Sequence, residues 1–430
     1  SGTKNNWITF TNYQEDIVIL DETGYSHDWS GIFYLSGISY FRISNLFFRN
    51  ASYFGILVTD AGGESSDIDI NNCTFYNCSS AAIKVDGANN FFNNVTIENN
   101  TIFDCCNAWN EDSDIADQEC VSLSNVNNFK ICYNTMYDNN KIHIDAKSGS
   151  KNGLIAHNII NTTHSNPISY GVQAIYVDAF DDHCENITIC NNVIFGNGTS
   201  SIQIGTEQGG TLSNISIFNN IVNGTNNGIN INNHSDYNPG GDNHSKWNII
   251  IVNNNFHCDN ICLQLTDINS SFHNLTVRNN IFDSECGINI GSDLDLSFQN
   301  VDYNLFNVSS SSYYGTDYIT DTPGFIDDGV GNFSLKSDSS AIDAGSSINA
   351  PLTDFFGKVR PFGSGIDIGA CEYVSESSNI DISNISLRTS NPVDTNVNFG
   401  WNNISCTILS NLDLESVIIN ISYPNGSTIF

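Results

Sequence analysis

The sequence predicts an all-β fold, a right-handed parallel β-helix of about ten coils, from three observations. Short apolar runs rich in Ile, Val and Phe recur along the chain, as in "VTIENNTIFDC" and "LTVRNNIFDSECGINI". An asparagine precedes the second apolar run of each unit and returns every 24 to 34 residues. The runs alternate in the manner of strands, and helix-capping signals are nearly absent. This period indicates a solenoid in which each repeat forms one coil.

The recurring asparagine is predicted to stack on its counterpart in the next coil. Neighbouring strands lie about 4.8 Å apart, so its amide can hydrogen-bond the asparagines above and below it. Asparagine also tolerates the left-handed conformation of a tight corner. Loops are expected where the spacing is longest, at 100–134, 158–192 and 220–254. The predicted ladder comprises Asn45, Asn72, Asn100, Asn134, Asn158, Asn192, Asn220, Asn254, Asn280 and Asn304.

The charge of the chain excludes two classes of partner. Its 430 residues carry 47 acidic and 14 basic side chains, a net charge of −33. Such a surface repels nucleic acid and anionic membranes, and no apolar run is long enough to span a bilayer. The same surface attracts divalent cations, so we expect bound calcium. The candidate metal ligands are Asp178, Asp181 and Asp182.

Asparagine-linked glycans are predicted from the density of sequons. Twenty Asn-x-Ser/Thr sequons occur among 66 asparagines, more than chance would give. The alternative is that many of these asparagines serve the repeat itself. The predicted glycosylation sites are Asn50, Asn72, Asn94, Asn99, Asn161, Asn186, Asn197, Asn214, Asn223, Asn274, Asn307, Asn332, Asn384, Asn403, Asn420 and Asn425.

The cysteines give a second indication of export. Thirteen cysteines are many for a protein of the reducing cytosol. Several lie in close groups that lack the spacing of zinc ligands, so we expect disulfides within or between coils, with buried free thiols as the alternative. Sequons and cysteines together predict an extracellular protein at the cell surface. The groups are Cys73/Cys78, Cys105/Cys106, Cys184/Cys190 and Cys258/Cys262.

Residues 1 to about 310 resemble the pectate-lyase-like β-helix superfamily. The resemblance lies in "SGTKNNWITFTNYQEDIVILDE" at the start and in "VQAIYVDAFDDHCENITICNNVIFGNGTSSIQIGTEQGG" further on. Residues 335–373 resemble the segment that closes many such helices in exported bacterial and archaeal proteins, through "AIDAG", "DFFGKVRP" and "DIGACE". We expect this segment to cap the open hydrophobic column. Its ion-paired plug would comprise Arg360 with Asp343, Asp354, Asp367 and Glu372.

The chain divides into three predicted parts. Residues 1–334 form the β-helix and 335–374 the closing segment. Residues 375–430 alternate like the strands of a β-sandwich, and "VIINISYPNGST" resembles the start of immunoglobulin-like modules in archaeal surface proteins. That sandwich would be small and incomplete.

The resemblance also implies where catalysis could occur. Lyases of the superfamily use a calcium cluster of carboxylates with a lysine or arginine base, and the candidates here are Asp145, Lys147, Asp178 and Glu207. Asp145 and Lys147 are two residues apart on a strand and so share a face. The three carboxylates, spaced by 33 and 29 residues, could lie on that face in successive coils. Against this, 14 basic residues are few for gripping a polyuronate chain.

Three functions follow from these features. The favoured hypothesis is a non-catalytic structural glycoprotein of an archaeal cell surface. Such an S-layer, sheath or filament subunit would assemble with itself or adhere to other surfaces. The alternative is an exported polysaccharide lyase or glycoside hydrolase. A third hypothesis is a carbohydrate-binding protein without activity, for which a polysaccharide would be the partner.

Overall fold

The protein forms an all-β structure. Within the residues described, the chain contains strands, turns and bends and no helix, so no helix long and apolar enough to cross a bilayer is found there. The computed structural model describes residues 1–14, 16–26, 29–63, 65–87, 92–107, 119–164, 172–206, 209–233, 245–266, 272–291, 300–327, 331–374, 380–388, 403–410, 421–422 and 428–429.

Sheet 1 runs the length of the column. Each of its eleven strands pairs in parallel with the equivalent strand of the next coil. The strands are β1 (Ile8–Thr11), β4 (Ser39–Ser44), β7 (Ser66–Asn71), β10 (Phe92–Glu98), β13 (Val126–Cys132), β16 (Lys151–Ala156), β19 (His183–Cys190), β22 (Thr211–Phe218), β25 (Lys246–Val252), β28 (Phe272–Arg278) and β30 (Asn300–Asp302).

Sheet 2 follows sheet 1 in each coil and consists mostly of three- or four-residue strands, also parallel. These are β2 (Val18–Asp21), β5 (Leu46–Arg49), β8 (Thr74–Tyr76), β11 (Thr101–Phe103), β14 (Thr135–Tyr137), β17 (Ile159–Asn161), β20 (Val193–Phe195), β23 (Ile221–Asn223), β26 (Asn255–His257), β29 (Ile281–Ile290), β31 (Leu305–Ser310) and β32 (Ile319–Thr320).

Sheet 3 completes each coil with longer strands. The long strand β29 pairs with both β26 and the last strand of sheet 3, so it belongs to sheets 2 and 3. The other strands of sheet 3 are β3 (Gly31–Ser36), β6 (Phe54–Thr59), β9 (Ala81–Asp86), β12 (Glu119–Ser124), β15 (Ile142–Lys147), β18 (Gln173–Asp178), β21 (Ser200–Thr206), β24 (Asn227–Asn233) and β27 (Ile261–Thr266).

Rows of like side chains fill the interior. In sheet 2 the rings of Phe48 and Phe75 stack with their centroids 4.9 Å apart. In sheet 1 Gly153 follows Phe129 in the row, and a Cβ there would lie 2.0 Å from the Phe129 ring, which takes the space of the missing side chain. One fully buried row of sheet 3 comprises Ile83, Val121, Ile144, Ile175, Ile202 and Ile229.

A buried ladder of asparagines crosses the corner between sheets 1 and 2. In every member but the last, Asn304, the backbone N–H and Nδ2 donate to Oδ1 of the asparagine in the next coil, at 2.9–3.1 Å. Nδ2 also donates to a main-chain oxygen on the other side, such as that of Ile155. The members are Asn100, Asn134, Asn158, Asn192, Asn220, Asn254, Asn280 and Asn304.

The predicted ladder is wrong for its first two members. Asn45 and Asn72 lie one residue earlier in the coil, because Thr74 pairs with Thr101 and Cys73 therefore occupies the ladder position. The Cys73 backbone N–H donates to Asn100 Oδ1 at 2.9 Å, so the ladder ends on a main-chain donor.

The first asparagine of each pair forms the corner itself. Asn191, Asn219, Asn253 and Asn279 have φ between 52° and 56°, the left-handed region that asparagine adopts more readily than most residues. The sequence analysis assigned both the corner conformation and the stacking to one asparagine. The structure divides them between two neighbours, which explains why the chain repeats an Asn pair.

The closing segment lies along these corner asparagines instead of over the end of the column. The side chains of Asn191, Asn219, Asn253 and Asn279 each donate to main-chain oxygens of residues 346–369, at 2.8–3.1 Å. The expected end cap is therefore a lateral strap on four successive coils. At the end of the column, the rings of Tyr314 and Tyr318 pack against Phe306.

Arg360 holds the strap together. Its Nη1 contacts Glu372 Oε1 at 2.5 Å, and both side chains are almost completely buried. Arg360 Nη2 also donates to Asn219 Oδ1 at 3.3 Å, which joins the ion pair to the coils. The other predicted members accept main-chain hydrogen bonds. Asp343, Asp354 and Asp367 bind the N–H groups of Gly365, Glu372 and Tyr373, respectively.

The region after residue 374 is described only as strand pairs. Strands β35 (Ile380–Arg388) and β36 (Asn403–Ser410) are antiparallel, as are β37 (Ile421–Ser422) and β38 (Thr428–Ile429). Before them, β33 (Phe325–Asp327) and β34 (Asn332–Leu335) form a separate hairpin. The small and incomplete sandwich predicted for residues 375–430 stays a prediction.

The cysteines of the described region are free thiols. Among the twelve whose side chains are described, eleven are buried and none forms a disulfide with another of the twelve. Cys106 and Cys120 lie nearest each other, with their Sγ atoms 2.9 Å apart. Burial raises the pKa of the Cys106 thiol. The structure thus favours the buried-thiol alternative over the disulfides expected within and between coils.

Candidate functional site

Three of the predicted catalytic residues, Asp145, Lys147 and Asp178, lie on the outer face of sheet 3, at its centre. One row across this face comprises Lys84, Ser122, Asp145, Tyr176 and Gln203, each paired with the next coil. The neighbouring row comprises Asp86, Ser124, Lys147, Asp178 and Gly205.

The carboxylates of this face are offset from the predicted arrangement. Asp145 pairs with Tyr176, whereas Asp178 pairs with Lys147. Asp145 and Asp178 therefore share a face but stand in different rows. The two aspartates are 33 residues apart, which is two residues more than the distance in sequence between paired residues of these coils. Glu207, the third predicted carboxylate, lies outside the described residues.

Lys147 is bound by carboxylates on two sides. Its Nζ lies 3.1 Å from Glu119 Oε1 and 3.5 Å from Asp145 Oδ2. Lys84, on the far side of β12 from Lys147, donates to Ser122 Oγ at 3.1 Å and Ser124 Oγ at 3.3 Å. Sequence reasoning missed Glu119 and Lys84, since neither falls at the spacing of the other candidates. Alternation along β9 and β12 could have placed Lys84 on this face.

These charges form a network that is largely withdrawn from water. Three lysines, Lys84, Lys141 and Lys147, accompany four carboxylates, Asp86, Glu119, Asp145 and Asp178. Glu119, Asp145, Asp178 and Lys84 are 7%, 1%, 4% and 3% exposed. Burial tends to raise the pKa of Glu119, but attraction by the three lysines outweighs it and lowers that pKa to about 2. The cluster is therefore an ion-pair network without net positive charge.

No metal site is evident among the described residues. No group of three or more His, Cys, Asp or Glu side chains there is arranged to hold an ion. Asp178 is buried, whereas Asp181 and Asp182 are exposed at the following turn, where Asp182 Oδ1 accepts the His183 N–H at 2.7 Å. Calcium binding by these three aspartates stays a prediction.

His143 is a pH-sensitive group on this sheet. It is fully buried, its Nδ1 lies 3.2 Å from the Gln173 oxygen, and burial lowers its pKa to about 4. Because His143 has a higher pKa in the unfolded state than in the folded state, the unfolded state takes up the proton first as pH falls. The stability due to neutral His143 is complete above pH 6.5 and is lost as pH falls through 4.

We expect this loss to be about 3 kcal/mol of unfolding free energy. In His143→Asn, which keeps a donor near the Nδ1 position, the decline between pH 6.5 and 4 should shrink by that amount relative to wild type. Urea unfolding curves at several pH values measure it. Parallel pH profiles for the two proteins would show that His143 does not contribute.

The predicted glycosylation sites occupy different environments. Asn94, Asn186, Asn214 and Asn274 lie in a second, solvent-exposed asparagine ladder on sheet 1, in which each Nδ2 donates to a side-chain oxygen of the preceding coil at 2.9–3.0 Å. In contrast, Asn197 and Asn332 are exposed outside this ladder. Asn384, Asn403, Asn420 and Asn425 lie where no side chain is described.

We expect glycans on Asn197 and Asn332 but not on Asn186, Asn214 or Asn274. A glycan on a ladder asparagine would replace an N–H of Nδ2 and crowd the asparagines of the two neighbouring coils. A glycan on Asn197 or Asn332, outside the ladder, has neither cost. Glycopeptide mapping of protein from a host that glycosylates asparagine measures the occupancy. Full occupancy of the ladder sequons would contradict the expectation.

Comparisons with known proteins describe the fold. A family model described as "Right handed beta helix region" matches residues 4–116. The crystal structure of pectate lyase Pel9A is similar with a TM-score of 0.39 and 14% identity, over 87% of this chain and 84% of that chain. A search of curated protein sequences finds no match. The chain is a right-handed parallel β-helix protein, and the predicted fold class is confirmed.

Proposed function

We propose that the protein is a non-catalytic structural glycoprotein of the cell exterior, of the kind that forms an S-layer, sheath or filament. The observation that carries this proposal is the state of the charged cluster on sheet 3. A catalytic base must reach its substrate and change its protonation during the reaction. Lys147 is instead bound by Glu119 and Asp145, and these carboxylates are buried.

The charge of the cluster also argues against an anionic substrate. Three lysines facing four carboxylates leave no net positive charge to hold a polyuronate, and the whole chain carries −33. A structural role agrees with the long uninterrupted rows of the column, with the exposed sequons, and with an acidic surface that keeps such a protein soluble in excess salt. Self-assembly and an extracellular location belong to the same proposal.

Two experiments test it. Incubation with a panel of polyuronates and Ca²⁺ should give no absorbance from unsaturated products; activity that disappears in Lys147→Ala but persists in Lys130→Ala would refute the proposal. Lys130 is the matched control because it is an exposed lysine on sheet 1. Electron microscopy at high protein concentration with calcium should show ordered assemblies. Dispersed monomers alone would contradict the self-assembly.

An exported polysaccharide lyase or glycoside hydrolase is the second candidate, favoured by one observation. Burial lowers the pKa of Lys141, with Glu119 opposing the change, and a lysine with a lowered pKa is suited to act as a base. The same substrate panel, extended to neutral polysaccharides and reducing-end detection, decides between the candidates. Under this alternative, Lys141→Ala would abolish the turnover seen in wild type.

A further inference from the structure

The outer face of sheet 1 carries a regular row of surface amides that the proposed function does not use. Seven of its eleven strands, β10 to β28, are each kinked at one asparagine, with φ between 53° and 62°, and the residues on either side pair with the next coil. The row comprises Asn94, Asn128, Asn152, Asn186, Asn214, Asn248 and Asn274.

The amides of this row leave hydrogen-bonding groups facing solvent. Asn248 Nδ2 donates to Asn214 Oδ1 at 2.8 Å, and Asn274 Nδ2 donates to Asn248 Oδ1 at 2.9 Å. A carboxamide has two N–H donors and two acceptor lone pairs, so one such bond on each side leaves a donor and an acceptor on every rung. All three side chains are exposed. The rungs therefore present donor–acceptor pairs at the coil spacing of about 4.8 Å.

This part of the row lies in a groove of about 400 Å³. The closing segment forms one wall through Asn349, and it is held there by the Arg278 Nη1 hydrogen bond to the Ile348 oxygen at 3.2 Å. None of the described residues that line the groove is charged, although the chain carries −33. Its lining comprises Asn214, Asn248, Ile250, Asn274, Thr276, Asn300 and Asn349.

An aromatic surface adjoins the groove. Trp247 and His273 immediately precede Asn248 and Asn274 in the chain and pair across the two strands. Their rings stack with centroids 5.5 Å apart and planes within 15° of parallel. Aromatic faces offer apolar contact to the C–H faces of sugar rings, while neighbouring amides bind the hydroxyl groups.

We propose that this groove binds a neutral glycan chain, with about one sugar ring to each coil. Adjacent hydroxyl groups of a pyranose each donate and accept, which matches the donor–acceptor pair on each rung. The absence of lining charge disfavours uronates, sulfated glycans and phosphates, since each needs a cationic partner. This site lies on sheet 1, away from the charged cluster of sheet 3, and does not depend on whether that cluster is catalytic.

The proposal is tested with unglycosylated protein and soluble neutral hexasaccharides, set against oligogalacturonate of the same length. Calorimetry should show binding of at least one neutral oligosaccharide and none of the uronate. Asn248→Gly keeps the left-handed backbone but removes one rung, and it should weaken binding roughly tenfold. Asn152→Gly, at the same kink but outside the groove, is the matched control and should bind as wild type does.

Asn349→Gly provides a second variant that leaves the ladder intact. It removes an amide from the opposite wall, where φ is 63°, and should also weaken binding severalfold. Unchanged affinity in both groove variants, no binding of any neutral hexasaccharide, or equal binding of the uronate would overturn the proposal. A glycan attached to Asn214 or Asn274 in native protein would also overturn it, because it would fill the groove.

Discussion

Asn192→Ala is expected to lower the free energy of unfolding by about 4 kcal/mol, a large part of the stability of an ordinary domain. Asn192 Oδ1 accepts from Asn158 N and Nδ2, both at 3.0 Å. Its Nδ2 donates to Ile155 O, Cys190 O and Asn220 Oδ1, at 2.9–3.1 Å. With alanine at this position, the buried N–H and oxygen groups that bind the Asn192 side chain would lose that hydrogen-bond partner. Urea unfolding followed by circular dichroism measures the change.

The matched control is Asn186→Gly in the exposed ladder of sheet 1. Asn186 also donates to an asparagine one coil away, at 3.0 Å, but it is exposed, so water can replace the lost partner. We expect a change of less than about 1 kcal/mol. Equal losses of unfolding free energy in Asn192→Ala and Asn186→Gly would mean that the buried ladder stabilises the coils no more than the exposed ladder does.

Arg360→Met should release the closing segment from the coils. Glu372 would keep a carboxylate that is fully buried and has lost its ion pair, at a cost of about 3–5 kcal/mol. The hydrogen bonds from Arg360 Nη2 to Gly369 O and Asn219 Oδ1 would also be lost. Hydrogen exchange should therefore accelerate in residues 341–373 before it changes in the rest of the column, as mass spectrometry of peptides can show.

Two further variants separate the ion pair from loss of packing. Arg360→Met combined with Glu372→Gln removes both charges and keeps an acceptor for one of the two N–H groups, of Phe362 and Asp367, that the carboxylate binds, so it should recover part of the lost protection. Arg42→Ala removes a pair in which the arginine is exposed and Asp69 is buried, and it should cost less than Arg360→Met, about 1 kcal/mol. A double variant as destabilised as Arg360→Met would refute the ion-pair explanation.

The repeat was readable from the sequence because its signals are local. Alternation and spacing place Ile144 and Ile175 in the same inward row, and the period alone identifies Asn100 to Asn304 as stacked. The assignment failed at Asn72, where the Asn pair is shifted by one residue and a cysteine takes the buried place. A cysteine at that position has no side-chain amide to continue the ladder. The spacing of the asparagines does not reveal this substitution.

Contacts between distant parts of the chain were not readable in this way. The Asn253 side chain binds the oxygens of Asp367 and Gly369, more than a hundred residues later, so the motif near the end predicts a closing segment but not its position. At the candidate site, Lys147 was predicted but Glu119 was not. Their contact depends on how two neighbouring coils align across an intervening loop, and that alignment is not encoded in the residue spacing.

The most direct test of stacking between coils is a double-mutant cycle on Asn192 and Asn220, measured in a stabilising osmolyte so that every variant starts folded. These side chains are hydrogen-bonded at 2.9 Å, so we expect a coupling free energy of at least about 1 kcal/mol. Asn192 with Asn280, which lie several coils apart, should show coupling near zero. Additive losses for the adjacent pair would contradict the claim that each coil is held to the next through this ladder.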